Sequence, residues 1–324
     1  MTTTLCRVWR VCAWHARSCA RGSEAVDRHA AARRSGSSPA YTGPVRSPRS
    51  FLYVPGDRPD RLAGAAGRGA DAVIADLEDA VAVDHKQLAR DAVAEWLSAP
   101  EPAVQLWARV DAGSIAEDVA AVVGPALTGI VVPKAEPDRL READAALTRQ
   151  ELRLGCAAGT FAVFALVETA RGVLDATGVA RSARVRHVGM GEADLAGELR
   201  LRPGPDREEL RSLRLQVVLG CAAAGIGAPT GPTSTDVRDV DGLRRSTEEL
   251  FRLGFRSRTA IHPDQLAVIN DAFTPTTAEV SEARAVLDRF ESSEDGVFVD
   301  ERGRLVDVAV VRSAREVLER AGQG

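Results

Sequence analysis

The 324-residue sequence contains no uninterrupted apolar run approaching the roughly 18–20 residues that a bilayer-crossing helix needs, so nothing in it reads as a membrane span. Close pairs of cysteine are also missing. Cys6, Cys12 and Cys19 are spaced by six and seven residues, without the tight pairs of a structural zinc site. Cys156 and Cys221 each sit among alanines, where a small buried hydrophobe is the usual role, which predicts reduced thiols. Lysine is nearly absent: Lys86 and Lys134 stand against 40 arginines, a bias expected of a GC-rich coding sequence. The body also lacks a net positive charge. Residues 1–49 carry nine Arg against Glu24 and Asp27, a local +7, and the whole-chain charge of −4 then leaves −11 for residues 50–324. An acidic body argues against nucleic-acid binding.

The first 48 residues differ in composition from the rest. They are Arg-rich, acid-poor and end in a Ser/Pro/Gly-rich stretch from Ser35 to Ser50. This predicts a disordered extension, or one absent from the native protein if translation starts near Val45. A mitochondrial transit peptide is the alternative. On the first reading the protein is expected to be cytoplasmic.

From Ser50 onward, short apolar runs alternate with longer helical ones, as βα units do. The predicted strands are 50–54, 72–77, 105–110, 129–133, 163–167, 186–190, 225–228 and 258–261. The predicted helices are 59–69, 84–98, 137–149, 171–182, 206–224, 241–253, 263–272 and 276–290. Ala72-Val73-Ile74-Ala75 and Gly129-Ile130-Val131-Val132 are apolar on consecutive residues, which suits strands covered on both faces. Eight repeats predict a TIM (β/α)8 barrel over residues 49–290. An open doubly wound sheet is the competing architecture, but Pro55-Gly56-Asp57-Arg58-Pro59 is not the glycine-rich turn that a dinucleotide-binding fold places after its first strand. Residues 291–324 are predicted to form a lid or oligomer arm: a hairpin from 296–299 and 305–308, then a helix over 311–320.

Polar residues follow the predicted strands in turn, and a barrel would collect them on one face. Glu168 and Asp194 end the fifth and sixth strands, where two hard carboxylates suit magnesium, although both could instead cap helices. Arg109 inside an apolar run needs an anion, either a ligand or an internal partner such as Glu78 or Asp79. Lys134 could be a Schiff-base nucleophile or a charge partner. Glu78 and Asp79 could pair with Arg109, act as general bases, or cap the following helix. His262 before Pro263 could orient a loop or, as the alternative, take a catalytic role.

Arg49-Ser50-Phe51-Leu52-Tyr53-Val54-Pro55-Gly56, Asp76-Leu77-Glu78-Asp79-Ala80-Val81, Lys86 with Ala89-Arg90, Arg109-Val110, Pro133-Lys134, Glu168-Thr169-Ala170-Arg171-Gly172, Gly191 with Asp194-Leu195, and Ile261-His262-Pro263 with Gln265 and Asn270 occur in this order. Over residues 49–321 the chain thereby resembles the citrate lyase beta-subunit and the malyl-CoA and citramalyl-CoA lyases. The resemblance implies a TIM barrel, magnesium held by Glu168 and Asp194, and substrate oxygens gripped by Arg109 with Lys134 and Gly191 nearby. Tyr53, Pro55, Gly56 and Arg58 would line the thioester and coenzyme A site, and Glu78 and Asp79 would be active-site acids. Asp307, on a C-terminal lid, would act at the site of an adjacent subunit, so a homo-oligomer, a trimer or a dimer of trimers, is implied.

The activity implied is cleavage of a β-hydroxyacyl-CoA to a 2-oxo acid and acetyl-CoA or a homologue. Alternatives are a citryl-carrier-protein lyase subunit, a free 2-oxo acid aldolase and a non-catalytic acyl-CoA-binding barrel. Two departures from the family pattern stand out: the extra acid Glu192, and the absence of an Asp-Gly pair from residues 228–233.

Overall fold

The computed structural model describes residues 47–98, 104–292, 297–299, 303 and 305–322. The expected N-terminal extension lies outside them. Eight parallel strands close in sequence order into a barrel: β1 (Ser50–Pro55), β2 (Ala72–Asp76), β3 (Gln105–Arg109), β4 (Gly129–Val132), β5 (Ala162–Val167), β6 (Val185–Met190), β7 (Thr230–Gly231) and β8 (Ser257–Ala260). The helices between and after them are α1 (Pro59–Ala65), α2 (Lys86–Trp96), α3 (Ile115–Val122), α4 (Pro137–Leu154), α5 (Ala170–Leu174), α6 (Ala176–Arg181), α7 (Glu192–Glu198), α8 (Arg211–Ala224), α9 (Val240–Leu253), α10 (Leu266–Phe273) and α11 (Thr277–Glu291).

Strand alternation decides what fills the barrel. Phe51, Ala72, Ile74, Trp107, Val131, Phe164 and Leu166 form one buried cluster, while their neighbours Leu52, Val73, Ala75, Leu106 and Val163 join the larger core beneath the helices. Phe51, Trp107, Phe164 and His187 meet edge to face or tilted, with ring centroids 5.1–6.5 Å apart. Small residues make room for these rings. A Cβ on Gly189 would lie 2.5 Å from the Phe164 ring, and one on Gly129 2.7 Å from Trp107. Two residues further along each strand, the same inward parity reaches Tyr53, Asp76, Arg109 and Glu168, so the aromatic plug is the floor beneath the rim residues.

The seventh strand is not where the sequence placed it. Gly225, expected to start it, instead takes φ 74° as the left-handed C-cap of α8, and pairing begins only at Thr230. The predicted helix over 171–182 is two helices, because the Asp175 carboxylate accepts from Gly178 N and restarts the chain as a new N-cap. Helices α3 and α7 were not anticipated.

At the C-terminus, β9 (Phe298–Val299) and β10 (Leu305–Val306) pair antiparallel, and α12 (Val308–Ala321) begins three residues before its expected start. Ala314 and Leu318 of α12 pack on Val280 and Ala283 of α11. Glu316 accepts from Arg256 and pairs with Arg320 at 3.1 Å, and both guanidiniums lie over the Phe251 ring. Among the described residues no helix is long and apolar enough to cross a membrane.

Burial in the plug pushes the His187 imidazole down to about 4. The unfolded chain, with an ordinary histidine near 6.5, therefore binds the extra proton first. Stability should fall as pH drops from about 6.5 to about 4, by on the order of 3 kcal/mol from this residue. Denaturant titrations of His187→Leu and wild type should show that the variant loses this increment of acid sensitivity; identical pH slopes would refute it.

Candidate active site

A cavity of about 390 Å³ opens at the C-terminal ends of the strands. Arg109, the last residue of β3, is its main cation. The guanidinium donates from Nε and Nη2 to both carboxylate oxygens of Asp76 at 2.7 and 2.6 Å, while Nη1 lies 3.0 Å from Glu78 Oε2 and 3.2 Å from Asp79 Oδ2. Parallel pairing of β2 and β3 places Asp76 beside Arg109 in register, and the bidentate fork fixes the plane of the guanidinium. Burial alone would lower the Arg109 pKa, but the Asp76 hydrogen bonds and the surrounding negative charge more than offset it, so Arg109 stays charged. Tyr53 slides its ring beneath, 5.0 Å from the guanidinium carbon, and burial pushes its phenol upward.

Lys134 sits beyond Arg109, just after β4. Its Nζ lies 3.2 Å from Glu78 Oε1, 3.5 Å from Asp194 Oδ2 and 3.9 Å from Glu168 Oε1, and its backbone N donates to Glu168 Oε1 at 2.8 Å. To do both, it adopts φ 46°, a left-handed conformation that costs a non-glycine residue of order 1 kcal/mol. Glu78 is braced from behind: Lys86 Nζ donates to the carbonyls of Leu77 and Glu78 at 2.6 and 2.7 Å and pairs with Asp111 at 2.9 Å. Burial pushes the Glu78 carboxyl upward against the pull of Arg109, and its Oε2, though close to that guanidinium, has no well-directed hydrogen bond.

Glu168 is 4% exposed. Burial first, then the negative charge of Glu78 and Asp194, pushes its carboxyl to about 7 despite the Lys134 amide. Gly191 packs directly against it. A Cβ there would lie 2.7 Å from Glu168 Cβ and closer still to Oε2, so residue 191 has no room for a side chain. Asp194 stands in the first turn of α7, half exposed and facing the same ammonium.

Of the residues singled out in the sequence, Tyr53, Pro55, Asp79, Arg109, Glu168, Gly191, Glu192, Asp194 and Ile261 line the cavity. Glu78 and Lys134 stand just behind the lining, joined to it by the ion pairs above. Gly56 is buried below, donating to Asp76 O at 2.8 Å. Arg58 is exposed and forks onto Asp60. Asp307 is not brought to this cavity within the chain; its carboxylate caps α12, accepting from Ala309 N and Val310 N. Glu192, suspected of altering the site's charge, is buried against Arg214 at 2.6 Å and Arg207 at 3.1 Å, which accounts for its charge within the fold. His262 forms a capping box with Gln265, the loop-orienting role expected of it. Sequence reasoning missed Arg61, Thr233 and Thr259, and it grouped Asp76 with Glu78 and Asp79 without singling it out as the main partner of Arg109. Strand parity with Ile74 was the available signal for Asp76.

Asp76, Glu78, Asp79, Glu168 and Asp194 against Arg109 and Lys134 leave a surplus of three negative charges (5 − 2) when all are ionised. The donors at Glu168 and Asp194 are hard oxygens. Among the described residues no three Asp, Glu, His or Cys side chains form a complete metal cage. This arrangement fits a hard divalent cation that takes two protein carboxylates and completes its shell with water and substrate.

The family model described as HpcH/HpaI aldolase/citrate lyase matches residues 49–263. The chain belongs to this family. A (3S)-malyl-CoA thioesterase from Cereibacter sphaeroides is 33% identical, with 84% of this chain and 94% of that protein aligned. A citrate lyase subunit beta-like protein from Mycobacterium tuberculosis is 34% identical over 84% of this chain and 95% of its own length. The crystal structure of the CitE protein from M. tuberculosis in complex with magnesium, acetoacetate and coenzyme A superposes with a TM-score of 0.71 at 32% identity, covering 86% of this chain and all of that one. The HpcH/HpaI match spans the rim residues from Tyr53 to Ile261 and ends before the hairpin that carries Asp307.

Because the folded state holds a proton on Glu168 up to about 7, while an unfolded glutamate loses it near 4.5, stability contributed at low pH is lost as pH rises through that window. In metal-free buffer Glu168→Gln should therefore raise stability relative to wild type at pH 8, by on the order of 1–3 kcal/mol, and by far less at pH 4.5. Chemical denaturation at the two pH values measures this; a pH-independent difference would contradict the burial argument.

Proposed function

We propose that the protein is a magnesium-dependent carbon–carbon lyase that cleaves a β-hydroxyacyl-CoA of the malyl-CoA or citramalyl-CoA type to a 2-oxo acid and acetyl-CoA or a homologue. The observation that carries this reading is that the carboxylates Glu168 and Asp194, brought together at Lys134, line one cavity with the buried guanidinium of Arg109. Glu168 and Asp194 would hold the metal. Magnesium, when bound, would supply Lewis-acid polarisation of the substrate's carboxylate and hydroxyl oxygens. M. tuberculosis CitE, crystallised with magnesium and coenzyme A, supports the pairing of metal and thioester.

Arg109 would stabilise the negative charge that develops on substrate oxygen, its plane already set by Asp76. Asp79, at the cavity wall, would accept the hydroxyl proton, while Glu78 would orient Arg109 and Lys134. As the hydroxyl loses its proton, the carbon–carbon bond breaks toward the thioester, giving a 2-oxo acid and a thioester enolate. Asp307 from the lid of a neighbouring subunit would protonate the enolate carbon, which makes a trimer or a dimer of trimers the working assembly. Tyr53, Pro55, Gly56 and Arg58 would shape the entrance for the thioester and coenzyme A. A cytoplasmic location accords with the bacterial relatives.

Carbon–carbon cleavage of the hydroxyacyl-CoA should require magnesium and be abolished in Glu168→Ala, which should also lose magnesium binding by calorimetry. Arg109→Lys, which keeps the charge but not the fork, should lower kcat/KM by about 10²–10³-fold. Full turnover in chelator, or in Glu168→Ala, would refute the assignment.

A further inference from the structure

Lysine occurs twice in a chain with 40 arginines, and both ammonium groups end on Glu78. Lys86 holds its carbonyl; Lys134 holds its carboxylate, Nζ donating to Oε1 at 3.2 Å. An ammonium is a compact charge that several carboxylates can share, whereas a guanidinium is a planar fork suited to one. Lys134 is used in the first way. Beyond Glu78, its Nζ lies 3.5 Å from Asp194 Oδ2 and 3.9 Å from Glu168 Oε1, ion-pair contacts longer than hydrogen bonds. Among the described residues no other cation lies within ion-pair distance of either carboxylate.

Hydrogen bonds to the main chain fix this placement. Lys134 N donates to Glu168 Oε1 at 2.8 Å, Lys134 O accepts from Arg139 Nη1 at 3.1 Å, and Ala135 N donates to Leu166 O at 2.9 Å. The Lys134 side chain stands outside the ring of residues that line the cavity, whereas Glu168 and Asp194 belong to it. Lys134 is thus placed to act on those two carboxylates rather than on a substrate. The negative charge it offsets is the same charge that a divalent cation taking an oxygen from each would offset.

We propose that Lys134 is the counter-cation of the Glu168–Asp194 pair, holding the two carboxylates together in the metal-free protein and competing with magnesium for their oxygens. This rests on the magnesium-lyase reading above and deepens it. Like charges a few ångströms apart repel, so Lys134 lowers the affinity for the ion while keeping the site assembled without it. Substrate oxygens are then needed to complete a firm site.

Calorimetry at pH 8, above the range in which Glu168 keeps its proton, compares magnesium binding to wild type, Lys134→Met and Lys134→Arg. Lys134→Met should bind magnesium at least about ten-fold more tightly than wild type, and Lys134→Arg, which keeps the charge, within about three-fold of it. Denaturant titration gives a second readout. Lys134→Met should be less stable than wild type in chelator, and saturating magnesium should narrow that difference by at least about ten-fold in the unfolding constant. A residue that only braced Glu78 would leave the difference the same with and without the ion. Unchanged or weaker magnesium binding in Lys134→Met, equal tightening in Lys134→Arg, or a Lys134→Met protein that stays unfolded in saturating magnesium would overturn the proposal. Tighter binding in Lys134→Met with no cleavage of any thioester by wild type would overturn the lyase reading and sustain the counter-cation role. A wild type that binds no magnesium would overturn both.

Discussion

A guanidinium buried at the end of a barrel strand must be neutralised, and the Asp76–Arg109 fork across β2 and β3 is the interaction on which the rest of the site depends. From it a chain of alternating charge runs round the rim: Asp76, Arg109, Glu78, Lys134, then Glu168 and Asp194. Arg109 gathers the carboxylates at the end of β2, and Lys134 links Glu78 to Glu168 and Asp194 across the rim. The chain has more anions than cations, an excess that on the proposed reading would suit its far end to a metal ion.

The other buried ion pairs of the barrel contrast with this chain. Arg184 is fully engaged by Asp144, Thr148 and both oxygens of Glu151, and Arg214 by Glu192 and Glu249. Those networks are satisfied and structural. At the rim, Glu78 Oε2 lacks a well-directed donor, Glu168 holds its proton near neutrality and Lys134 is strained. Left-handed backbone also occurs at Arg184, Arg200 and Arg207, so the rim is set apart not by strain but by a carboxylate oxygen without a hydrogen bond beside a carboxyl raised to near neutrality, which suits a ligand more than stability.

Much of this was legible in the sequence because strand parity and βα spacing are local. The inward set Phe51, Ile74, Trp107 and Leu166 continues to Tyr53, Asp76, Arg109 and Glu168, so the strands announce their own rim. What was not legible depended on long-range partners. Nothing local in Gly225-Ile226-Gly227-Ala228 says that it is a helix cap and a loop rather than a strand, since β7 is secured by side chains from β8 and α10's preceding turn. Glu192 does line the cavity, but Arg214, 22 positions away, pairs with its carboxylate, a partner that no local pattern shows. Asp307 was legible as a residue on an appended hairpin and helix, and within one chain it is a helix cap.

The central claim is that this rim breaks a carbon–carbon bond, and product identity tests it most directly, because a relative in the same family is named as a thioesterase. Malyl-CoA or citramalyl-CoA labelled with carbon-13 would be followed by NMR in the presence of magnesium and the full-length protein. The account predicts a 2-oxo acid and acetyl-CoA in equal amounts, with the thioester intact. Release of the free hydroxy acid and coenzyme A thiol, with the carbon skeleton unbroken, would contradict it.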